Sequence, residues 1–228
     1  MQSAFAPSEA LMQDGEAARA SGCLSVLLWP PFSAAFAGIL LFYFLVQVPI
    51  NSAEVELSQH AAPAGAIASF FTPEVQHWEA DLVAWSAAQG LDPNLAATVM
   101  QIESCGDPLA LSPAGAMGLF QVMPYHFAAG ESSFEPNTNA IRGLGYLKLS
   151  LEQYSEPGMA LAAYNGGING VSRPQHQWAQ ETRDYKAWGE SIYADASAGR
   201  RESRRLQEWL AASGASLCAQ AAQRVAGD

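Results

Sequence analysis

Glu103-Ser104-Cys105-Gly106-Asp107-Pro108, continued as Leu111-Ser112-Pro113-Ala114-Gly115-Ala116-Met117-Gly118-Leu119-Phe120-Gln121-Val122-Met123-Pro124, is the stretch that decides how this chain of 228 residues is read. Its carboxylate closes an apolar run in which Leu95, Val99 and Ile102 recur at helical spacing. Pro108, Pro113, Gly115 and Gly118 follow, which end a helix and let backbone pass close to a ligand. Most glutamates at a helix C-terminus are solvated, and this acid alone does not specify chemistry. A glutamate shielded beside a glycine-rich crossing is different. Loss of water disfavours its charged form, so it holds a proton near neutral pH and can donate it.

The longer pattern resembles the catalytic motif of the soluble lytic transglycosylases, relatives of goose-type lysozyme, which reads E-S-x-x-x-P-x-A-x-S-x-x-G-A-x-G-L-M-Q-x-M-P. Glu103, Ser104, Pro108, Ala110, Ser112, Gly115, Ala116, Gly118, Leu119, Gln121, Met123 and Pro124 fall in register, with Phe120 where the family carries Met. Phe134 to Leu147 is similar to a second segment, F-x-P-x-x-N-I-x-x-G-x-x-Y-L, with Asn139-Ala140 at the Asn-Ile position. By itself it is a capped amphipathic helix, and its role reads as structural. Leu161-Ala162-Ala163-Tyr164-Asn165-Gly166-Gly167 resembles A-L-A-A-Y-N-A-G, and Glu181-Thr182-Arg183-Asp184-Tyr185 resembles E-T-x-x-Y. On residues alone, Tyr164 and Asn165 are equally a tyrosine corner with an Asn C-cap, or two polar groups at a cavity edge.

The resemblance implies a lysozyme-like domain acting on peptidoglycan, with Glu103 as the single acid and base. It implies that Ser104 and Tyr164 orient Glu103, with Tyr164 hydrogen-bonded to it. Gln121 and Asn165 would hold acetamido sugars, Tyr185 would border the cleft, and Ser112 and Gly118 join the substrate-binding set. The implied reaction cleaves the bond between N-acetylmuramic acid and N-acetylglucosamine and leaves 1,6-anhydro ends. A hydrolytic muramidase and a non-catalytic wall-binding module are the alternatives. A common glycosidase needs two carboxylates about the scissile bond, and no second motif acid is evident. Asp107, four positions from Glu103 and beside Pro108, reads as a turn residue. Glu131, Glu135 and Glu181 are the other acids that would stand in for a missing second carboxylate.

Composition sets the outer bounds. Half of the residues are apolar and 14% are charged, with a net charge of −11, which opposes nucleic-acid binding. No charged residue occurs from Ala20 to Ala53. Phe32 to Ile50 is almost wholly apolar and at ~1.5 Å per residue reaches about 28 Å, close to the ~30 Å hydrocarbon core. An uncleaved membrane anchor over 23–50 is expected, with Pro30-Pro31 as a kink. A cleaved signal peptide is the rival, disfavoured by Glu9, Asp14 and Glu16 ahead of the run. Arg19 precedes the run and no Lys or Arg follows until Arg142, which places the N-terminus in the cytoplasm and the rest on the cell-wall side.

The expected organisation is therefore a cytoplasmic tail at 1–22, the anchor at 23–50, a linker at 51–71 and the catalytic domain with a helical tail at 72–228. Period-two alternation is nearly absent, so that domain reads as all-α, or α with a minor strand pair. Thr72-Pro73-Glu74 and Asp92-Pro93 are helix starts, Gly90 is a stop, and further helices are expected over 139–151, 158–164 and from Thr182. His60, His77, His126 and His176 lack metal spacing, and no cofactor is expected; the expected state is a monomer bound to glycan strands and to the cytoplasmic membrane. Cys105 and Cys218 both fall on the outer side, where a disulfide and two free thiols remain open alternatives. Arg200-Arg201 and Arg204-Arg205 beside Leu206, Trp209 and Leu210 read as a solvated helix face, or as a basic helix on anionic polymer. If the anchor is real, the full chain stays with membranes after a high-salt wash with its N-terminus unprocessed; a mature start near Glu54 would mean a cleaved signal.

Overall fold

The computed structural model describes residues 66–225; the expected tail, the anchor and most of the linker lie outside the described residues. Eight α-helices run through the described chain: α1 (Pro73–Gln76), α2 (Glu79–Gln89), α3 (Pro93–Glu103), α4 (Pro136–Tyr154), α5 (Pro157–Gly166), α6 (Gln180–Ser197), α7 (Arg204–Trp209) and α8 (Ala215–Val225). Among the described residues the only β pairing is two isolated bridges, Leu111 to Met117 and Met117 to Val122. The mainly α reading holds, and the minor strand pair shrinks to these bridges.

The helix starts follow from local chemistry. Asp92 caps α3 by accepting from the Asn94 N–H at 2.8 Å, and its second oxygen accepts from the Tyr193 hydroxyl at 2.9 Å, tying α3 to α6. Glu135 accepts from the backbone of Asn137 and Thr138, and Glu156 does the same for Gly158 and Met159. These carboxylates satisfy N–H groups that lack partners inside the helix, with proline at the next position in each case. For that reason α4 starts at Pro136, three residues ahead of the expected 139. The segment expected to be one helix from Pro73 to Gly90 is two. It gives way at Trp78, whose backbone (φ −91°, ψ 11°) leaves the helical region and whose indole N–H donates to the Gly106 carbonyl at 2.9 Å. Thr72 makes no side-chain cap; its hydroxyl lies 3.2 Å from the Cys105 sulfur.

α3 is the central element. Eight of its residues, Asn94 through Gln101, are buried. Leu95, Val99 and Met100 join Leu82, Leu119, Phe120, Leu144, Leu147, Leu161 and Ile192 in one core. The C-terminal helices share it through Leu206, Trp209, Cys218 and Ala221, so they belong to the domain. The linker ends earlier than expected, because Ile67, Ala68 and Phe71 are in the same core and the Ala68 N–H donates to Asn94 Oδ1 at 2.7 Å. Cys105 and Cys218 are joined as a disulfide, with Cα atoms 5.0 Å apart. The arginine cluster is a solvated face: Arg200 pairs with Asp195 at 3.2 Å, while Arg204 and Arg205 pair with Glu208 at 2.8 and 3.0 Å. Arg205 also lies over the Trp188 ring at 5.1 Å.

The glycine-rich stretch is a folded loop clamped from one side by Asn139 of α4. This fully buried side chain accepts from the Phe120 N–H at 2.8 Å and donates to the carbonyls of Met117 and Ser133 at 2.8 and 2.9 Å. Gly118, at φ +73°, is needed because a Cβ there would stand 2.4 Å from the Asn139 amide nitrogen. Replacing Asn139 by Ala strands a buried N–H and two carbonyls, each with its own desolvation cost. We expect Asn139→Ala to lose about 3 kcal/mol of unfolding free energy by urea denaturation; a loss below about 1 kcal/mol would mean the loop is held by other contacts.

Candidate active site

Glu103 is the last residue of α3, and it faces a cavity of about 460 Å³. Part of its surface stays open to that cavity, while protein encloses it on the remaining sides. Loss of solvent pushes its pKa from 4.5 up to about 8. The Tyr185 hydroxyl, turned toward it, opposes the rise, and the charge of Glu181 adds to it. That hydroxyl is fully enclosed and makes no hydrogen bond of regular geometry, so its contact with Glu103 is a loose one. Glu103 is therefore protonated at neutral pH.

The sequence-expected residues divide into two groups. Ser112, Gln121, Tyr164 and Asn165 line the cavity with Glu103. Gln121, in the left-handed region at φ +46°, donates its amide to the carbonyls of Ala110 and Gly118 at 3.2 and 3.1 Å. Asn165 Oδ1 accepts from the Thr182 hydroxyl at 2.8 Å, which leaves the amide nitrogen as the end available to a ligand. The Ser112 hydroxyl accepts from the Ala116 N–H at 2.9 Å.

Ser104, Gly118 and Tyr185 stand behind the cavity wall. Ser104 is fully buried, with its hydroxyl donating to the Leu119 carbonyl at 2.6 Å and accepting from the Gly106 N–H at 3.1 Å. It cannot reach a sugar. Its effect is to bind the end of α3 to the glycine-rich loop, so it orients Glu103 through backbone. Gly118 likewise serves packing. The expected bond from Tyr164 to Glu103 is replaced by one to backbone, since the phenol donates to the Phe120 carbonyl at 2.6 Å. Burial, then the nearby Glu103 charge, holds the pKa of both Tyr164 and Tyr185 well above the ordinary value, so both phenols remain neutral.

Asp107 is the turn residue expected, accepting from the Leu109 N–H at 2.9 Å, and it also pairs with Arg224. Glu131 and Glu135 are away from the cavity, engaged by Arg142 and by the α4 N-terminus. Of the acids left open as a second carboxylate, Glu181 is the one that lines the cavity together with Glu103. Sequence reading also missed an aromatic row. Tyr125, His126, Tyr146 and Tyr164 follow one another with ring centroids 4.6, 4.8 and 5.8 Å apart, and all four line the cavity. Burial lowers the His126 pKa, which keeps the ring neutral. The signal for Tyr146 was its place in the second segment, which had been read as packing alone. An apolar face with hydroxyls and amides at its edge suits a sugar, which presents C–H and O–H groups together.

Residues 82–187 match the transglycosylase SLT domain family. Over 116 residues the chain is 39% identical to a transglycosylase of Enterobacteria phage PRD1, a match covering 49% of this chain and 40% of the phage protein. Over 109 residues it is 31% identical to membrane-bound lytic murein transglycosylase C of Photorhabdus laumondii, covering 39% of this chain and 30% of that one. The Histophilus somni protein of the same name is 32% identical over 108 residues, with 38% and 30% covered. The chain thus spans well under half the length of these relatives.

The raised pKa of Glu103 is also a stability statement. Between pH 4.5 and about 8 the folded state keeps the proton that the unfolded state has lost, so stability falls as pH rises through that window and is level beyond it. Glutamine cannot titrate. The stability of Glu103→Gln relative to wild type should therefore grow from pH 4.5 to 8, by at most about 1.4 kcal/mol per pH unit, in denaturation at a series of pH values. A pH-independent difference would mean that Glu103 ionises in the fold as it does in the unfolded chain.

Proposed function

We propose that this chain, whose residues 82–187 match the transglycosylase SLT domain family, is a lytic transglycosylase that cleaves peptidoglycan between N-acetylmuramic acid and N-acetylglucosamine. The observation that carries the reading is a protonated, partly enclosed Glu103 at the wall of a cavity. Glu103 donates its proton to the glycosidic oxygen and the bond to C1 breaks. The substrate's N-acetyl group stabilises C1 as positive charge develops. The Glu103 carboxylate then takes the proton of the C6 hydroxyl, whose oxygen attacks C1 and closes the 1,6-anhydro ring. One carboxyl acts first as acid and then as base. Asn165 and Gln121, which line the cavity, would bind acetamido groups, and the aromatic row would carry sugar faces.

Hydrolysis is the second reading, and Glu181 is the observation that favours it. A carboxylate at the same cavity is what activation of a water would need. What supports the anhydro product instead is the tethered C6 hydroxyl, whose proximity is worth a large effective molarity, together with the names of the relatives. Membrane attachment through 23–50, with the domain on the cell-wall side, is part of the proposal. It is supported by the charge-free apolar run and by relatives named membrane-bound. Among the described residues no helix is long and apolar enough to cross a membrane.

Mass analysis of muropeptides released by the full chain tests the reaction. Products should end in 1,6-anhydro-N-acetylmuramic acid, each lighter by one water than a hydrolytic product, and Glu103→Gln should release none while remaining folded. Free reducing muramic acid ends that vanish in Glu181→Gln would establish the hydrolytic reading. Wild-type turnover by Glu103→Gln would remove Glu103 from the reaction altogether.

A further inference from the structure

The turn after Glu103 contains two consecutive residues in the left-handed region, Cys105 at φ +53° and Gly106 at φ +85°. A side chain bearing a Cβ is disfavoured there, by about 1–2 kcal/mol, and such a backbone persists where its surroundings over-determine it. Its surroundings come largely from outside the matched domain. On one side the Trp78 indole donates to the Gly106 carbonyl at 2.9 Å, and Glu74 backbone packs so closely that a Cβ on Gly106 would stand 2.6 Å from its oxygen. On the other side α8 holds the turn twice. Cys218 is bonded to Cys105, and Arg224, six residues further along α8, pairs with Asp107 at 3.3 Å. Trp78, Cys218 and Arg224 all lie beyond residues 82–187.

These ties meet within four residues of Glu103, on the protein side of the turn. Ser104 then carries the position forward to the cavity loop through the Leu119 carbonyl. Both sulfurs are buried, Cys105 fully and Cys218 at 8% exposure, so the bridge is a permanent tie and not a thiol pair poised for exchange. Gln101 of α3 is locked into the same arrangement, accepting from the Thr72 N–H at 3.1 Å while its amide points at the Cys105 sulfur at 3.0 Å.

We propose that the two flanks of the domain form a collar, made by Trp78, the Cys105–Cys218 bridge and Arg224, that positions Glu103 for proton transfer. Its members are positioning residues, since none of them lines the cavity. The proposal rests on Glu103 being the reacting acid. A collar of this kind keeps the end of α3 pressed against the loop and keeps water from the enclosed side of the carboxyl. Loosening it lets water reach Glu103 and favours its ionised form. An acid that must be protonated to act then fails at lower pH.

The test uses the full chain with Cys218→Ala, and with Arg224→Ala, whose half-exposed side chain puts folding at little risk. For Cys218→Ala we expect kcat on peptidoglycan at pH 7 to fall about ten-fold with KM within about two-fold. The alkaline limb of kcat should move down by about one pH unit, a ten-fold change in proton affinity. Arg224→Ala should move both quantities in the same direction by less, and Arg224→Lys should restore part of the loss. A lowered melting temperature with kcat and the alkaline limb unchanged in both alanine variants would overturn the proposal and leave the bridge as a staple of the fold. If Cys218→Ala does not fold, the Arg224 pair of variants decides. If the wild type cleaves no glycan, the reading of Glu103 as the acid fails separately. The collar is then tested by ¹³C NMR titration of the Glu103 carboxyl, where an unchanged midpoint in Arg224→Ala and Cys218→Ala overturns it.

Discussion

Taking the Glu103 carboxyl out of water is the constraint on which the rest of the structure depends. A free carboxyl at the end of an exposed helix ionises near pH 4.5 and gains nothing from its neighbours. Here the glycine-rich loop is folded back over the end of α3, and three buried polar contacts fix it there: Ser104 to Leu119, Asn139 to Phe120 and Tyr164 to Phe120. Each contact uses a backbone group of the loop that would otherwise be stranded without water. The same bonds that satisfy the loop therefore bring it close enough to dry one side of Glu103. The environment of Glu103 and the stability of the loop are one arrangement, not two.

Much of this was legible because it is local. Asp92-Pro93 announces the start of the helix that carries Glu103, and apolar spacing from Leu95 to Ile102 announces its buried face. The mainly α class follows from that periodicity and the lack of alternation. Four of the expected cavity residues, Ser112, Gln121, Tyr164 and Asn165, do line it with Glu103. What failed was the assignment of partners across the chain. Tyr164 was expected to hydrogen-bond the acid and Ser104 to orient it, yet both hydroxyls are spent on loop carbonyls, since nothing in a one-dimensional pattern says which acceptor a buried hydroxyl will find.

The same limit explains the misplaced boundaries and the missed groups. Ile67, Ala68 and Phe71 sit in an alanine- and proline-rich stretch whose composition reads as linker, but Asn94 supplies a long-range acceptor that draws it into the core. Trp78 falls between a helix start at Pro73 and a stop at Gly90, with nothing local to mark a break; a distant carbonyl at Gly106 takes its indole where the helix gives way. Tyr125, His126 and Tyr146 come from two separate segments and form a row only once α4 packs beside the loop. Glu181 is one of several acids that sequence leaves open as a second carboxylate, and only the packing of α6 singles it out by delivering it to the same cavity.

The placement of Glu181 bears on the reaction in a way that the count of carboxylates does not. A shift from 4.5 to about 8 corresponds to roughly 5 kcal/mol of preference for the neutral form, most of it from burial and a smaller part from the Glu181 charge. That preference makes Glu103 an acid that is still loaded at neutral pH. After it has given up the proton, the same preference makes it a stronger base than an ordinary carboxylate by the same margin. In the proposed reaction, burial and Glu181 would thus serve both halves of a one-carboxyl mechanism, the second half by driving Glu103 to recover a proton. They would serve an attacking water equally, so they do not choose the product. In the proposed reaction the choice would fall to what is held within reach of C1 when Glu103 becomes a base. A C6 hydroxyl is attached to the same ring and is present at every turnover, whereas a water must be captured and oriented. On that ground a cavity built around one tuned acid is sufficient for ring closure, and hydrolysis is the outcome that needs Glu181 to do more than supply charge.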